Sequence, residues 1–185
     1  MDDNAIQKTI ELKDGRRCII RNVTSHDAKD VLVLFNKINN ETNFLLTYPD
    51  EKRLSIEEEK NFLKQKEESA TEIQLCAVAG NVIVGLAGVS PIGAREKISH
   101  RAELGVSIEK DFWRLGIGSA LTNASIECAI SAGYKQLELE VVLENKNAIA
   151  LYKKLGFIEY GRNPRGFISR KSEYRELILM RLELN

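Results

Sequence analysis

The sequence is poor in the residues that build disulfide-rich or metal-binding proteins. Among its 185 residues are three cysteines, two histidines and three prolines. Cys18, Cys76 and Cys128 are odd in number and far apart, so neither a disulfide framework nor a zinc site is expected. His26 and His100 are also too distant in sequence to suggest a zinc motif. We therefore expect no metal.

Charge and hydropathy argue against two further classes of partner. Lysine plus arginine equals aspartate plus glutamate at 27 each, so no nucleic-acid or membrane partner is expected. The basic run from Arg162 to Lys171 is expected to be a solvated loop. No window approaches the roughly eighteen apolar residues of a membrane-spanning helix, and Met1 to Asn4 is acidic with no apolar run behind it. We expect a cytoplasmic protein with free thiols.

Length and patterning favour one α/β domain over residues 1–185. With 43% hydrophobic residues, the chain can build one sizeable core. Asp14-Gly15 and Gly80-Asn81 each separate two apolar runs, which predicts two β-hairpins. The segment Ser55 to Glu58 matches a capping box that opens a highly charged helix. Strands and helices mixed in this way fit a single α/β domain.

Two later segments carry weaker structural signals. His100 to Ile108 alternates apolar and polar residues, which places Glu103 and Ser107 on one face of a strand. Gly105, in the middle of that strand, suggests a bulge or a close approach of another group. The stretch from Gly161 to Glu173 contains proline and glycine and is expected to be a mobile loop.

Gly116 and Gly118 lie between an apolar strand that ends at Ile108 and the start of a helix. Glycine lets the backbone approach an anion closely, and the unpaired N–H groups of a helix start point at it, with the helix dipole adding attraction. A phosphate or pyrophosphate is expected at this position.

Two other phosphate-binding motifs fit this stretch less well. A P-loop needs Lys-Ser/Thr after its last glycine, where this chain has Ser119-Ala120. A dinucleotide-binding fingerprint is matched in part, by Gly116 and Gly118 and by an acidic residue, Glu138 or Glu140, about twenty residues after them. Its third glycine position, however, is Leu121, and the strand-to-helix connection is too long. This alternative requires that NAD bind at the glycines.

Two segments resemble motifs of the GNAT superfamily of N-acetyltransferases. Trp113 to Gly118 is similar to the family's pyrophosphate loop, Gln/Arg-x-x-Gly-x-Gly/Ala. Asn145 to Phe157 is similar to its Asn-x-x-Ala-x-x-x-Tyr-x-x-x-Gly-Phe segment. The motifs stand in the family's order, and the resemblance covers roughly residues 71–184. It departs at Trp113, where the family has Gln or Arg; the basic side chain comes one place later, as Arg114.

The resemblance implies a single GNAT-like domain that uses acetyl-CoA as co-substrate. Its central sheet would be mixed, mostly antiparallel and twisted, with about seven strands flanked by about four helices. The strand at Val106 to Ile108 would part from the strand at Gln136 to Leu143 and pair with the pantetheine arm. The positions that carry over as cofactor-binding are Val106, Ser107, Ile108, Arg114, Leu115, Gly116, Ile117, Gly118, Ser119 and Asn145.

Tyr152 and Glu103 match catalytic positions of the family. A phenol with a pKa of ~10 can protonate a thiolate whose conjugate acid has a pKa of ~8.5 for roughly 2 kcal/mol, so Tyr152 is expected to be the general acid. Alternatively it is a core tyrosine, because it shares a helical stripe with Ala148. Glu103 is expected to act as base through water, with a raised pKa, or to attract the ammonium. Alternatively it pairs with Arg101 or Arg114.

The implied reaction is direct transfer of acetyl to a primary amine of a small molecule, amino acid or protein N-terminus, in a ternary complex. Phe44 and Tyr48, between the first two helices, are candidate acceptor contacts or anchors of that loop. An exposed edge strand expected near the C-terminus makes a homodimer a candidate assembly. The alternative function is a non-catalytic acyl-CoA-binding sensor or interaction domain.

Overall fold

The computed structural model describes residues 6–51 and 54–185 and shows there one sheet of eight strands with four α-helices. The strands are β1 (Gln7–Glu11), β2 (Arg17–Asn22), β3 (Ile73–Ala79), β4 (Val82–Pro91), β5 (Arg101–Ile108), β6 (Gln136–Val142), β7 (Ile158–Ile168) and β8 (Tyr174–Glu183). The α-helices are α1 (Ala28–Glu41), α2 (Ile56–Glu67), α3 (Ile117–Ser131) and α4 (Lys146–Lys154). Short 3₁₀ turns occupy Ser25–Asp27, Glu96–Ile98 and Lys110–Phe112.

The sheet is mixed and mostly antiparallel, as the resemblance implies. Its strands lie in the order β1-β2-β3-β4-β5-β6-β8-β7, so β8 is inserted between β6 and β7. All neighbours are antiparallel except β5 and β6, which run parallel. The described residues thus form eight strands rather than about seven, with β1 and β7 at the edges.

The parallel strands β5 and β6 pair over a short distance and then part. Arg101–Glu103 is in register with Gln136–Glu138, and the pairing ends there. Beyond this point β5 continues to pair with β4 as far as Ile108, while β6 continues to pair with β8. The separation expected between these two strands is confirmed, and it leaves one side of the second half of β5 without a strand partner.

Both predicted hairpins and the capping box are present. Gly80 and Asn81 have φ angles of 57° and 70°, the left-handed conformations that a two-residue hairpin turn requires. At the start of α2 the Ser55 hydroxyl accepts a hydrogen bond from the Glu58 N–H at 3.3 Å, and the Glu58 carboxylate accepts one from the Ser55 N–H at 2.7 Å. Local sequence signals therefore determine these two turns and this helix start.

A strand replaces most of the mobile loop expected over Gly161 to Glu173. β7 continues to Ile168 and pairs with β8 across two register shifts, so the basic run expected as a solvated loop is largely strand. Pro164 is tolerated because β7 is an edge strand and Pro164 lies in the register shift between Asn163 and Phe167, where it is not paired with a residue of β8. Gly166 is needed because a Cβ there would lie 2.3 Å from Leu177 Cγ.

Helices cover both faces of the sheet, and each face has its own core. Alternation along β3 shows this, since Leu75 packs into the cluster that includes Leu121 of α3, whereas Cys76 packs with Leu63 of α2. Helices α1 and α2 therefore cover one face, and α3 with α4 the other. In the described part of the chain, no helix is both long and apolar enough to cross a membrane.

Replacing Gly166 by alanine should destabilise the protein by about 1 to 3 kcal/mol, because the added methyl would overlap the buried Leu177 side chain. Gly105→Ala is the matched control: it is also a strand glycine, but its Cβ would meet nothing within 4 Å, and we expect a change within about 0.5 kcal/mol. Urea unfolding of both variants measures the difference. Equal stabilities would contradict the close packing of β7 on β8.

Candidate functional site

Two cavities adjoin the half of β5 that is not paired with β6. The first, the glycine-loop cavity, has a volume of about 320 Å³ and lies among the end of β5, the start of α3 and α4. The second, the sheet-face cavity, has a volume of about 420 Å³ and lies between the sheet and helices α1 and α2. Ser107 lines both. Groups bound in the two cavities can therefore meet beside this residue.

The backbone of residues 114–119 presents a series of free donors to the glycine-loop cavity. Gly116 caps α3 with a φ of 105°, and Arg114 also has a positive φ, 66°. The first amide bonded within the helix is that of Ala120, to the Gly116 carbonyl at 3.1 Å, and no described residue accepts a hydrogen bond from the N–H groups of residues 114–119. Such a helix start can bind a phosphate through backbone donors alone.

Gly118 lets α3 lie close to α4. A Cβ at this position would lie 3.0 Å from Leu151 Cδ2 and 3.4 Å from Ile108 Cδ1, tighter than ordinary van der Waals contact. The glycine therefore sets the spacing of the elements that wall the glycine-loop cavity.

Trp113 anchors the loop before the glycines, at the position where the family motif has Gln or Arg. Its indole N–H donates a hydrogen bond to the carbonyl of Ile108, the last residue of β5, at 2.8 Å. Lys37 of α1 forms an ion pair with the buried Glu109 at the start of the same loop. These contacts connect the glycine loop to both β5 and α1.

Most residues expected from the sequence to bind the cofactor or to catalyse lie together, and Phe44, a candidate acceptor contact, lies with them. Those that line the glycine-loop cavity are Phe44, Val106, Ser107, Ile108, Arg114, Gly116, Gly118, Ser119, Asn145 and Tyr152. Leu115 and Ile117 do not: the Ile117 side chain is fully buried in the core, and Leu115 packs against that core. These two residues can contribute only backbone groups.

Several residues of the glycine-loop cavity were not expected from the sequence. They are Lys13, Thr42, Trp113, Asn147, Leu151 and Lys154, among others. Asn147, Leu151 and Lys154 lie within the second motif, so helical periodicity could have suggested them. Lys13 lies in the β1–β2 hairpin, and its backbone N–H donates a hydrogen bond to the Leu115 carbonyl at 3.2 Å. No local signal links that hairpin to the glycine loop.

Tyr152 is both a buried core residue and a lining residue of the glycine-loop cavity. It is 7% exposed, and its ring packs on Phe157 with centroids 5.6 Å apart. Burial alone raises the pKa of Tyr152 to about 12, and no described residue hydrogen-bonds its hydroxyl. The phenol therefore remains protonated at neutral pH and has its proton available for a ligand.

Asn145 caps α4 and also lines the glycine-loop cavity. Its side-chain oxygen accepts a hydrogen bond from the Ala148 N–H at 3.2 Å. The side-chain NH₂ donates to no described residue, so Asn145 can cap the helix and still donate to a ligand.

Glu103 forms no ion pair with either arginine considered as its partner. Arg101 pairs instead with Glu138 on β6, with Nε–Oε1 at 2.5 Å and Nη2–Oε2 at 2.9 Å. No described residue forms an ion pair with Arg114 or Glu103. The carboxylate of Glu103 therefore remains uncompensated at the point where β5 and β6 begin to part.

The surroundings of Glu103 favour its protonated form. Desolvation raises the pKa of the Glu103 carboxyl, and the carboxylates of Glu140 and Glu138 raise it further. The residue is exposed and lies on the same face of β5 as Ser107, although it lines neither cavity. Any proton transfer between Glu103 and a group at Ser107 would need an intervening water.

A pair of glycines forms the floor of the sheet-face cavity. Gly88 of β4 and Gly105 of β5 are directly paired, and both line the cavity. A Cβ at Gly105 would meet nothing within 4 Å. Pairing through Gly105 is regular, so the bulge suggested there is wrong; the register shift is at Ala77/Val78. The close-approach alternative fits Gly105, whose missing side chain leaves room for a ligand, whereas the Gln74 side chain lies over Gly88, where a Cβ would be 2.8 Å from Gln74 Oε1.

Phe44 and Tyr48 contribute to different cavities. Phe44 lines the glycine-loop cavity and stacks on Trp113, with ring centroids 6.4 Å apart. Tyr48 lines the sheet-face cavity, donates from its hydroxyl to the Ile168 carbonyl at 3.2 Å, and has the Arg170 guanidinium 4.2 Å from its ring centroid. Tyr48 thus joins the connection between α1 and α2 to the β7–β8 hairpin while it borders a cavity.

The cysteines are free thiols that line neither cavity. Cys18, Cys76 and Cys128 are all buried. Burial raises the pKa of Cys76 to about 12 and that of Cys128 to about 11, which makes both poor nucleophiles. Within residues 6–51 and 54–185, no group of three or more His, Cys, Asp or Glu side chains is placed to hold a metal ion.

Sequence comparison identifies relatives over most of the chain. Residues 35–157 match the model of the Acetyltransferase (GNAT) family. An uncharacterised N-acetyltransferase of Methanocaldococcus jannaschii is 36% identical over 144 residues, which are 76% of this chain and 60% of that protein. The L-amino acid N-acetyltransferase of Escherichia coli is 31% identical over 108 residues, 58% of this chain and 65% of that protein. The chain spans about half to two thirds of the length of the curated relatives it matches.

Solved structures share the whole fold. An acetyltransferase of the GNAT family from Streptococcus pneumoniae superposes with a TM-score of 0.86 at 29% identity, covering 90% of this chain and 99% of that one. An acetyltransferase of Salmonella typhimurium, solved with its cofactor acetyl-CoA, has a TM-score of 0.80 at 17% identity, covering 91% and 94%. The family match over residues 35–157, the parted strands and the glycine loop agree, and the chain belongs to the GNAT family of acetyltransferases.

Proposed function

We propose that this protein transfers the acetyl group of acetyl-CoA directly to a primary amine, with both substrates bound at once. The single observation that carries the proposal is that Ser107 lines both cavities. A donor in the glycine-loop cavity and an acceptor in the sheet-face cavity would meet there, and holding two reactants in contact is itself a large part of catalysis.

The glycine-loop cavity has the groups that acetyl-CoA needs. The free N–H groups of residues 114–119 suit its pyrophosphate, and the unpaired side of Val106–Ile108 suits the amides of its pantetheine arm. Asn145 can add a donor from the start of α4. When bound, acetyl-CoA supplies a thioester carbonyl and a thiolate leaving group. The chain's own residues must then provide orientation, a proton for the sulfur and a neutral amine.

The charges of the two cavities support the same assignment of substrates. Among the described residues, the charged lining residues of the glycine-loop cavity are Lys13, Arg114 and Lys154, all basic. Those of the sheet-face cavity are Glu51 and Glu59, both acidic. The first cavity thus favours the anionic phosphates and the second favours a cationic amine.

Tyr152 would act as the general acid toward the sulfur. Its pKa of about 12 lies some 3.5 units above the ~8.5 of an ordinary thiol, a difference of roughly 5 kcal/mol. This exceeds the roughly 2 kcal/mol expected for an ordinary phenol. A thiolate in the same buried cavity is also desolvated, which raises its own pKa and narrows the difference.

Glu103 would act as a base through water or attract the acceptor's ammonium. Transfer from an ammonium of pKa ~10.4 to a carboxylate of ~4.3 is uphill by roughly 8 kcal/mol, whereas selecting the free amine at pH 7 requires about 4.6 kcal/mol. The raised pKa of Glu103 makes the transfer from the ammonium less uphill than roughly 8 kcal/mol. Because Glu103 does not line the sheet-face cavity, the proton would pass through a water molecule. No cysteine competes as a covalent nucleophile, because all three are buried away from both cavities.

Tyr152→Phe should lower kcat about a hundredfold or more and leave the Kd for CoA unchanged, because only the proton donor is removed. Tyr174→Phe is the matched control, since Tyr174 is exposed and lines neither cavity. A CoA-release assay against pools of amino acids, polyamines, aminoglycosides and N-terminal peptides, together with calorimetry, measures both quantities. Full turnover by the Tyr152→Phe variant would exclude Tyr152 as the general acid. Binding of CoA without turnover in any form would favour the non-catalytic acyl-CoA-binding alternative.

Gly116→Ala should weaken CoA binding at least tenfold, because a side chain disfavours the φ of 105° that aims the loop's N–H groups at the cavity. Gly133→Ala is the control. Gly133 has a similar φ of 88° at the other end of α3, and a Cβ there also meets nothing within 4 Å, so it carries comparable strain of about 1 kcal/mol without touching the cavity. Equal CoA affinities in the two variants would contradict a pyrophosphate site at the loop. Stabilisation of the protein by NAD rather than CoA would favour the dinucleotide alternative.

The pH dependence of kcat tests Glu103. Because the pKa of its carboxyl is raised, the ionised form that a base requires is lost as pH falls through a value above the usual range of Glu, so kcat should rise with pH through that value. Glu103→Gln should abolish this acid limb. Glu140→Gln should move it to lower pH, because it removes the largest charge effect that raises the pKa of Glu103. An acid limb that is the same in all three proteins would exclude Glu103 as the titrating group.

A further inference from the structure

Glu59 is a buried carboxylate that faces the sheet-face cavity without a partner. It lies on α2, is 7% exposed and lines that cavity. Among residues 6–51 and 54–185, none donates a hydrogen bond to it or forms an ion pair with it, and desolvation is the cause that raises its pKa. Buried carboxylates are ordinarily paired or hydrogen-bonded. Glu59 therefore offers an uncompensated carboxylate to a ligand in the cavity.

The walls around Glu59 suit an apolar body with a positive group at one end. The apolar lining residues are Val31, Leu32, Phe35, Leu54, Phe62 and Leu86. No lysine, arginine or histidine of the described chain lines the cavity. The other charged lining residue, Glu51, already accepts a hydrogen bond from the Tyr48 N–H at 2.9 Å. Glu59 is thus the buried carboxylate of this cavity, whereas Glu51 is exposed, and Gln74 on β3 adds a polar group.

Glu59 and Ser107 line the sheet-face cavity from different elements. Helix α2, which carries Glu59, packs on β3, whereas Ser107 is on β5. One strand, β4, separates β3 from β5, and adjacent strands are about 4.8 Å apart, so these two strands lie roughly 10 Å from each other. Gly105 leaves room beside Ser107, whereas the Gln74 side chain lies over Gly88, where a Cβ would be 2.8 Å from Gln74 Oε1. A ligand that contacts both Glu59 and Ser107 must therefore extend across the cavity between α2 and β5.

We propose that Glu59 binds a second positive charge of the acceptor, so that the preferred acceptor is a small molecule with two cationic amines joined by an apolar segment. This rests on the proposed function, in which the reacting amine lies at Ser107. The second ammonium pairs with Glu59, and the apolar segment passes over Gly105, where a Cβ would meet nothing within 4 Å. The cavity volume of about 420 Å³ is within the range of small-molecule sites.

The test compares two amines with the same six-carbon chain, hexamethylenediamine and hexylamine. Calorimetry measures their binding to the CoA-loaded protein, and CoA release from acetyl-CoA measures their turnover. The wild-type protein should bind the diamine at least tenfold more tightly than the monoamine. Glu59→Gln, which keeps the shape and removes the charge, should abolish this preference by weakening only the diamine. Glu57→Gln is the matched control, because it removes the same charge from an exposed position of the same helix and should preserve the preference.

A readout that needs no acceptor accompanies the binding data. If Glu59 has no partner in the free protein, Glu59→Gln should raise the Tm at pH 8, because a buried charge is removed, whereas Glu57→Gln should leave it unchanged. A lower Tm for Glu59→Gln would show an internal partner and overturn the proposal. So would failure of the wild-type protein to prefer the diamine, or an unchanged preference in Glu59→Gln.

Filling the cavity floor locates the bound probe. Gly105→Leu should abolish diamine binding while CoA still binds, because Gly105 lines only the sheet-face cavity. Unchanged diamine binding in Gly105→Leu would place the probe elsewhere and overturn the proposal. The proposed function fails separately: Glu59-dependent diamine binding without CoA release from acetyl-CoA would retain the Glu59 site and reject the transfer reaction.

Discussion

The structure depends on the incomplete pairing of two parallel strands. β5 is in register with β6 only over Arg101–Glu103, after which it follows β4 while β6 follows β8. A strand in the middle of a sheet normally has no backbone groups to spare. Here the second half of β5 retains them on one side, and the gap that opens is the space into which the glycine loop and α4 project. The glycine-loop cavity exists because a ladder of hydrogen bonds stops early.

The same half-strand also explains why two cavities share one residue. Side chains alternate between the faces of a strand, so Val106 and Ile108 belong to the face covered by α3 and α4, and Gly105 and Ser107 to the face covered by α1 and α2. The exposed edge of the strand is open to both sides. Ser107 therefore lines both cavities without any unusual backbone conformation, and the regular register through Gly105 keeps it in place.

Features fixed by neighbouring residues were predictable, and features fixed by distant packing were not. The turn at Gly80-Asn81, the capping box of α2 and the helix start at Gly116 each follow from a few consecutive residues. The length of β7 was not predictable, because Pro164 and the glycines of this segment are typical of a loop. The segment forms a strand because it lies at the edge of the sheet and because Gly166 packs closely on Leu177. Glu59 reads as one more charge on a highly charged helix, and its burial appears only once α2 packs on the sheet.

Charge is distributed between the two cavities in a way that the balanced total conceals. Equal numbers of acidic and basic residues give a net charge of zero. Among the described residues, however, the charged side chains that line the glycine-loop cavity are all basic, and those that line the sheet-face cavity are all acidic. In the proposed function, a phosphate-bearing donor would be attracted by backbone N–H groups on one side of β5, and a cationic acceptor by carboxylates on the other. Each substrate would meet like charge in the wrong cavity, which penalises misplacement as well as favouring correct binding. In this proposal the glycine loop binds the anionic donor and Glu59 binds the cationic acceptor, and together they orient the two substrates toward Ser107.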